Sequence, residues 1–340
     1  MNSTLLFALA TLVIFNPHSA FASTDPQVAL LAQVEGKTQI FTQPSKTAHQ
    51  KKNPAAGTMA LYEGQYYLIQ DAKTGDRVEN GVIVRTLPGA KAKVLYPNGD
   101  QFYVGPGTAY RIEWKPKKSD GIAQVELMYG RMRGVISKEG PRKKLQIRTK
   151  SATMGVRGTD FFIADTGPDG ETEVSVIRGS VEVRPNPKSG EPKETKKESV
   201  AQEIKTGQSA AVAQTIEVRS TTKEDLSGIK EASTLSAQPS PAASLPAPQQ
   251  NQVMAEIAAL EKKAVEVTLK DIQTYQPEVY KQIEAQPGQV KQAQDLNNKT
   301  VEIAAVQAPS APPKRRKPRI TEIKDASDAD YYDKYFKLEN

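Results

Sequence analysis

The chain has no cysteine. Disulfides, thiol nucleophiles, thiolate metal sites and a lipid anchor on an N-terminal cysteine are therefore excluded. Histidine is almost as scarce, with two residues in 340, His18 and His49. His18 falls in an apolar N-terminal segment, and His49 sits in the polar run "KTAHQKKN". Zinc sites of the usual His/Cys type are excluded. A Ser-His-Asp triad would have to use His49, and its surroundings offer no partner. No motif singles out a catalytic carboxylate pair, and no cofactor is implied. Long hydrophobic runs are missing too: the longest, residues 5–15, has 11 residues, where a spanning helix needs roughly 20.

What the N-terminus does contain is ordered. The first 22 residues carry no charged side chain, and the apolar run is followed by Pro17 and then Ala20-Phe21-Ala22. That is the layout of a secretory signal peptide cleaved after Ala22. The mature chain is then expected in a periplasm or outside the cell, with no transmembrane span.

From residue 28 to about 218 the pattern is β throughout. Short runs such as "TQIFT", "VIVRT", "AKVLY", "QFYV", "DFFIA" and "EVSVI" recur, many alternating with period two. The runs "VSV" and "VEV" place Val174, Val176, Val181 and Val183 on inward faces. Turn signals separate the runs at Asn80-Gly81, Pro88-Gly89, Asn98-Gly99 and Arg178-Gly179. Many short strands with regular turns imply a mainly β fold: a sandwich, a barrel or a solenoid-like stack.

Beyond the β region the composition changes. Residues 185–199 are charged and Pro-rich, an exposed excursion. Residues 220–250 read as a linker, with a Pro/Ala/Ser-rich stretch from 235. Residues 251–306 read as a short helical segment, with Val253, Ile257, Leu260, Ala264 and Val267 at three- and four-residue spacing and breaks at Pro277 and Pro287. That segment is too small for a core of its own. It could pack on the β domain, self-associate or bind a partner. Residues 307–340 join a basic block to an acidic, tyrosine-bearing end and read as disordered. The expected division is thus 1–22 signal, 23–219 β domain, 220–250 linker, 251–306 helical, 307–340 tail.

Charge is uneven. Between Arg111 and Arg157 there are 13 basic and 4 acidic residues. The peaks hold Lys115, Lys117 and Lys118, then Arg142, Lys143 and Lys144, candidate contacts for a protein partner or an anionic envelope polymer. The plain alternative is a solvated pair of turns. The exported location argues against nucleic acid. Oligomeric state is not legible.

The stretch 152–164, "ATMGVRGTDFFIA", sets two glycines, an arginine and an acid inside a strand pattern. Gly155 and Gly158 are read as bending the chain into the strand. Alternation then puts Thr159, Phe161 and Ile163 on one face, Asp160 and Phe162 on the other. Arg157 is expected to pair with Asp160 across the bend, or to bond nearby carbonyls. The role read for this block is structural.

The same block, followed by "TEVSVIRGSVEV", resembles the FecR domain, with its V-R-G-T-[DE]-F motif and Gly-turned strand pair. "GDRVENGVIVRT", "AKVLYPNGDQFYVGPGTAYRIE", "VELMYGRMRGVI" and "IKTGQSAAV" match other pieces in order, so that the likeness covers residues 28–213. The resemblance implies a periplasmic β module used for protein contacts, not catalysis, built as a stack of short strands. Members best known from iron uptake span the inner membrane and carry a cytoplasmic anti-sigma segment. This chain shows a signal-like start and a helical tail instead, which argues against direct sigma-factor contact. The expected role is a non-enzymatic exported binding or scaffold protein. The alternative is a regulator that relays receptor state to a membrane partner.

Overall fold

The structure, a computed structural model, describes residues 28–47, 58–115, 122–138, 145–165, 171–187, 200–236, 239, 245–286, 288, 290–310 and 337–339. The signal segment, His49, Lys117, Lys118, Arg142, Lys143, Lys144, most of the 185–199 excursion and residues 311–336 lie outside the described residues.

The chain opens with β1 (Ala29–Glu35), β2 (Thr38–Ser45), β3 (Met59–Tyr62) and β4 (Gln65–Asp71). Five short strands follow: β5 (Arg77–Val78), β6 (Ile83–Thr86), β7 (Lys91–Leu95), β8 (Gln101–Val104) and β9 (Thr108–Lys115). Next come the long β10 (Ile122–Val135), β11 (Leu145–Arg148), β12 (Ala152–Val156), β13 (Asp160–Asp165) and β14 (Thr172–Arg178). The run closes with β15 (Ser180–Pro185), β16 (Gln202–Lys205), β17 (Gln208–Val212) and β18 (Ile216–Ser220). Helices α1 (Lys223–Ser233), α2 (Ala247–Tyr275), α3 (Pro277–Glu284) and α4 (Ala293–Gln307) complete the fold, with β19 (Lys337–Glu339) at the end. The turns fall where Asn-Gly and Arg-Gly pairs predict them.

The strands form two ladders joined through β10. In one, the order is β5-β1-β7-β8-β10-β13-β14-β17-β18. In the other it is β19-β3-β4-β2-β6-β9-β10-β11-β12-β15-β16. Pairing is antiparallel except between β10 and β11. The first half of β10 pairs with β9 and its second half with β8 and β13. Gly130 marks the change, at φ +93; a Cβ there would lie 2.4 Å from the Thr108 hydroxyl. A strand that switches sheets needs such a bend.

One apolar cluster holds residues of both ladders, among them Leu31, Val94, Phe102 and Phe161 from the first and Val84, Tyr110, Val125 and Met154 from the second. Val174, Val176, Val181 and Val183 all lie in it, on the faces that alternation predicts. The first ladder is buried on its other face as well. Leu30, Ala32 and Leu95 meet Ile257 and Ala264 of α2. Phe162, Ala164 and Ile177 meet Leu226 and Ile229 of α1 and Val301 of α4. That is why "ALLA" and "FFIA" are continuous apolar runs: both sides of these strands are covered.

The helices are therefore a third layer. Of the three fates open to the helical segment, packing on the β domain is the one observed. Within the span read as a linker lies α1, started by a capping box in which Thr222 Oγ1 accepts from the Asp225 amide at 3.2 Å and Asp225 Oδ2 accepts from the Thr222 amide at 2.9 Å. The signal is present in the sequence as Thr-Lys-Glu-Asp, residues 222–225. Pro277 stops α2 and occupies the first turn of α3, where its missing N–H is harmless. At the end of the chain, Lys337–Glu339 pair with β3, so these residues of the expected disordered tail form a strand.

Candidate functional site

The β-ladder face under the helices is charged as well as apolar. Lys93, on β7, is fully buried and bonded to Glu261 of α2. Burial pushes the Lys93 pKa below its ordinary value, while Glu261 pulls it back up. Gln101 donates to Thr268 of α2 at 3.0 Å and accepts from Asn297 of α4 at 2.8 Å. Asn297 also donates to the Tyr103 hydroxyl at 3.0 Å. At the rim, Arg77 grips Glu256 of α2 through contacts of 2.7 and 2.9 Å. Lys91 donates to the Glu231 and Thr234 carbonyls at 2.7 and 2.8 Å, placing a cation at the negative end of α1.

The V-R-G-T-D-F block sits at the edge of this face, and its acid has a different partner from the one expected. Asp160 accepts two parallel bonds from Arg133 of β10, both 2.8 Å, with each side chain about 1% exposed. Arg133 also donates to the Asn297 carbonyl at 2.9 Å. Arg157, by contrast, is exposed. The expected Arg157–Asp160 pair is thus replaced by Arg133–Asp160, because β10 and β13 are neighbours and residue 157 lies outside the ladder. The arginine of "RMRGVI" was the residue that local reading missed. Its signal is indirect: a lone acid in an otherwise apolar buried strand demands a cation from a neighbouring strand.

The two glycines also differ. Gly158 has φ +63, and a Cβ there would lie 2.3 Å from Lys138 Cβ. Gly155 has no positive φ and ample room, so it is an ordinary strand residue, not part of the bend. Thr159 is buried and donates to the Ser180 carbonyl at 2.9 Å. Phe161 lies in the main core and Phe162 under the helices, the predicted alternation. The Phe161 ring covers Gly134, where a Cβ would fall 2.3 Å from it.

Two Arg-Gly corners meet here. A Cβ on Gly179 would lie 2.9 Å from the Gly158 carbonyl. Beside them opens a cavity of about 540 Å³ whose walls include Lys138, Arg157, Arg178, Glu203, Lys205 and Tyr275. Arg178 is 2% exposed, and none of its three side-chain nitrogens has a hydrogen-bond partner. Its nearest carboxylate oxygen is Asp271 Oδ2, at 3.9 Å. Burial lowers its pKa, against the opposing pull of Asp160 and Asp271. Lys138 stands 3.8 Å over the Tyr275 ring. An adjoining cavity of about 300 Å³ is lined by apolar groups including Ile177, Leu226 and Ile303, and shares Thr206 and Gln276 with the first.

Of the other candidate residues, Lys115 closes β9, its side chain outside the description. Among the described residues no group of three or more His, Cys, Asp or Glu could hold a metal ion, and no helix is long and apolar enough to cross a membrane.

Residues 82–182 match the family model of the FecR protein. The match runs from just before β6 into β15 and takes in Arg133, Asp160 and both Arg-Gly corners; the helices lie beyond it. No curated protein matches the sequence. Two crystal structures of a protein described as an anti-sigma factor from Parabacteroides distasonis are similar at 21% and 22% identity, each with a TM-score of 0.34. Each likeness covers 43% of this chain and 62% or 63% of theirs, so the chain spans under two thirds of their length.

Proposed function

With a FecR domain at residues 82–182 as the premise, we propose that the protein is a non-enzymatic regulatory module of the exported compartment that acts by protein contact. One observation carries this reading. The domain's face bearing Lys93, Gln101, Tyr103 and Arg133 already holds helical polypeptide, through side-chain pairs and a bond to the Asn297 carbonyl. Such a mixed polar and apolar interface is like that between exchanging partners more than like a dry core. The signal-like start supports export, and the lack of any catalytic constellation in the sequence supports a binding role. A structural scaffold is the other form of the same reading.

The test uses the full chain in its own cell. Photoreactive residues at exposed Arg157 and Val306 should trap one discrete exported or membrane protein, and deletion of the gene should change transcription without an envelope defect. An envelope defect with unchanged transcription would move the role to scaffold. No trapped polypeptide and no transcriptional change would overturn the proposal.

A further inference from the structure

We infer that the cavity beside the Arg157-Gly158 corner binds a phosphate-type oxyanion, carried by a small phosphorylated molecule or a lipid head group. The cations come from four separate places in the chain. Lys138 follows β10, Arg157 follows β12, Arg178 ends β14 and Lys205 ends β16. Against them stand one carboxylate at the rim, Glu203, whose Oε2 lies 3.7 Å from Lys205 Nζ with both side chains exposed, and Asp271 beside Arg178. The balance in the wall is positive, and a concave, partly low-dielectric wall concentrates that field.

Two arginines mark the site more sharply than the count does. A guanidinium carries five N–H donors, and burying it with none of them bonded is costly unless something else compensates. Arg178 is in that condition in the cavity wall. As a buried cation in that wall, it biases the cavity toward anions. Arg157 is exposed at the rim, and its planar fork suits two phosphate oxygens at once.

The cavity also lies at the C-terminal end of α2, whose free carbonyls attract cations. Lys138 is committed there, stacked on Tyr275. That explains Lys138 without a ligand, but it explains neither arginine. About 540 Å³ is far more room than one phosphate needs and suits a small organic molecule. The adjoining apolar cavity is the reason to include a lipid as a source.

The inference does not depend on the regulatory reading and is tested separately. Calorimetry on the full chain would use inorganic phosphate and glycerol 1-phosphate. Cosedimentation would use phosphatidic acid vesicles against phosphatidylcholine vesicles. Arg157→Glu should fold normally, checked by its urea midpoint, and should weaken phosphate binding about tenfold or more. Lys46→Glu, an exposed charge after β2, should bind as the parent does. Soluble probes binding alone assigns a free phosphorylated ligand. Vesicle binding that is lost in Arg157→Glu and competed by glycerol 1-phosphate assigns a head group. Absence of saturable binding by every probe overturns the inference. So does binding that survives Arg157→Glu or vanishes in Lys46→Glu.

Discussion

Asp160 and Arg157 are three residues apart and have opposite structural standing. Asp160 is locked to Arg133 in a bidentate pair with almost no exposure, whereas Arg157 is solvent-facing. Removing one partner of a buried pair leaves the other charge uncompensated. Asp160→Ala should therefore cost about 3–5 kcal/mol, while Arg157→Ala should change stability by no more than about 0.5 kcal/mol. Urea midpoints of the two variants check this; equal losses would mean that Arg157 has a structural partner after all. The sequence allowed Arg157 to be read as the partner because proximity along the chain is visible there and proximity across a ladder is not. The alternation of Phe161 and Phe162 was legible, since a strand's two-residue period needs no knowledge of its neighbours.

The helices α1, α2 and α4 are held to the sheet by apolar contact and by charge together. The Lys93–Glu261 pair sets a fully buried cation of β7 against a partly buried carboxylate of α2. Lys93→Met alone should cost up to about 3 kcal/mol, because Glu261 is left facing an apolar neighbour. Adding Glu261→Leu should recover most of that loss, since two apolar groups can fill the same space without a stranded charge. A double-mutant cycle measured by denaturant unfolding checks the coupling; additive losses would show that the pair is not energetically linked. The helical periodicity of residues 251–275 was plain in the sequence. What covered that stripe was not, because an apolar stripe fits an intramolecular sheet, a second copy or a partner equally well.

Over the whole molecule, buried phenols make stability depend on alkaline pH. Burial raises the pKa of Tyr62, Tyr67 and Tyr103 above the ordinary 10.0. A raised folded pKa means that the unfolded chain releases these protons first. The stabilisation is complete below pH 10.0 and is lost progressively as pH rises from there through the raised folded values. Lys93 acts with the opposite sign, but only below its ordinary 10.5, where the unfolded lysine still holds a proton the folded one has released. Urea midpoints in buffers above pH 10.5 should therefore fall steadily with pH, and Tyr103→Phe should flatten the decline; a parent protein with a level profile there would contradict the burial of these groups. At this scale the division between sequence and fold is clear. Period-two runs, Asn-Gly turns and proline breaks determined a mainly β chain with a helical segment after it, because propensity and periodicity are local properties, and the V-R-G-T-D-F block carried the likeness to the FecR family model that residues 82–182 match. The third layer, the Arg133–Asp160 pair and the basic cavity at the two Arg-Gly corners were decided by tertiary structure alone. They join residues up to about 200 positions apart, and only chain folding brings such groups within bonding distance.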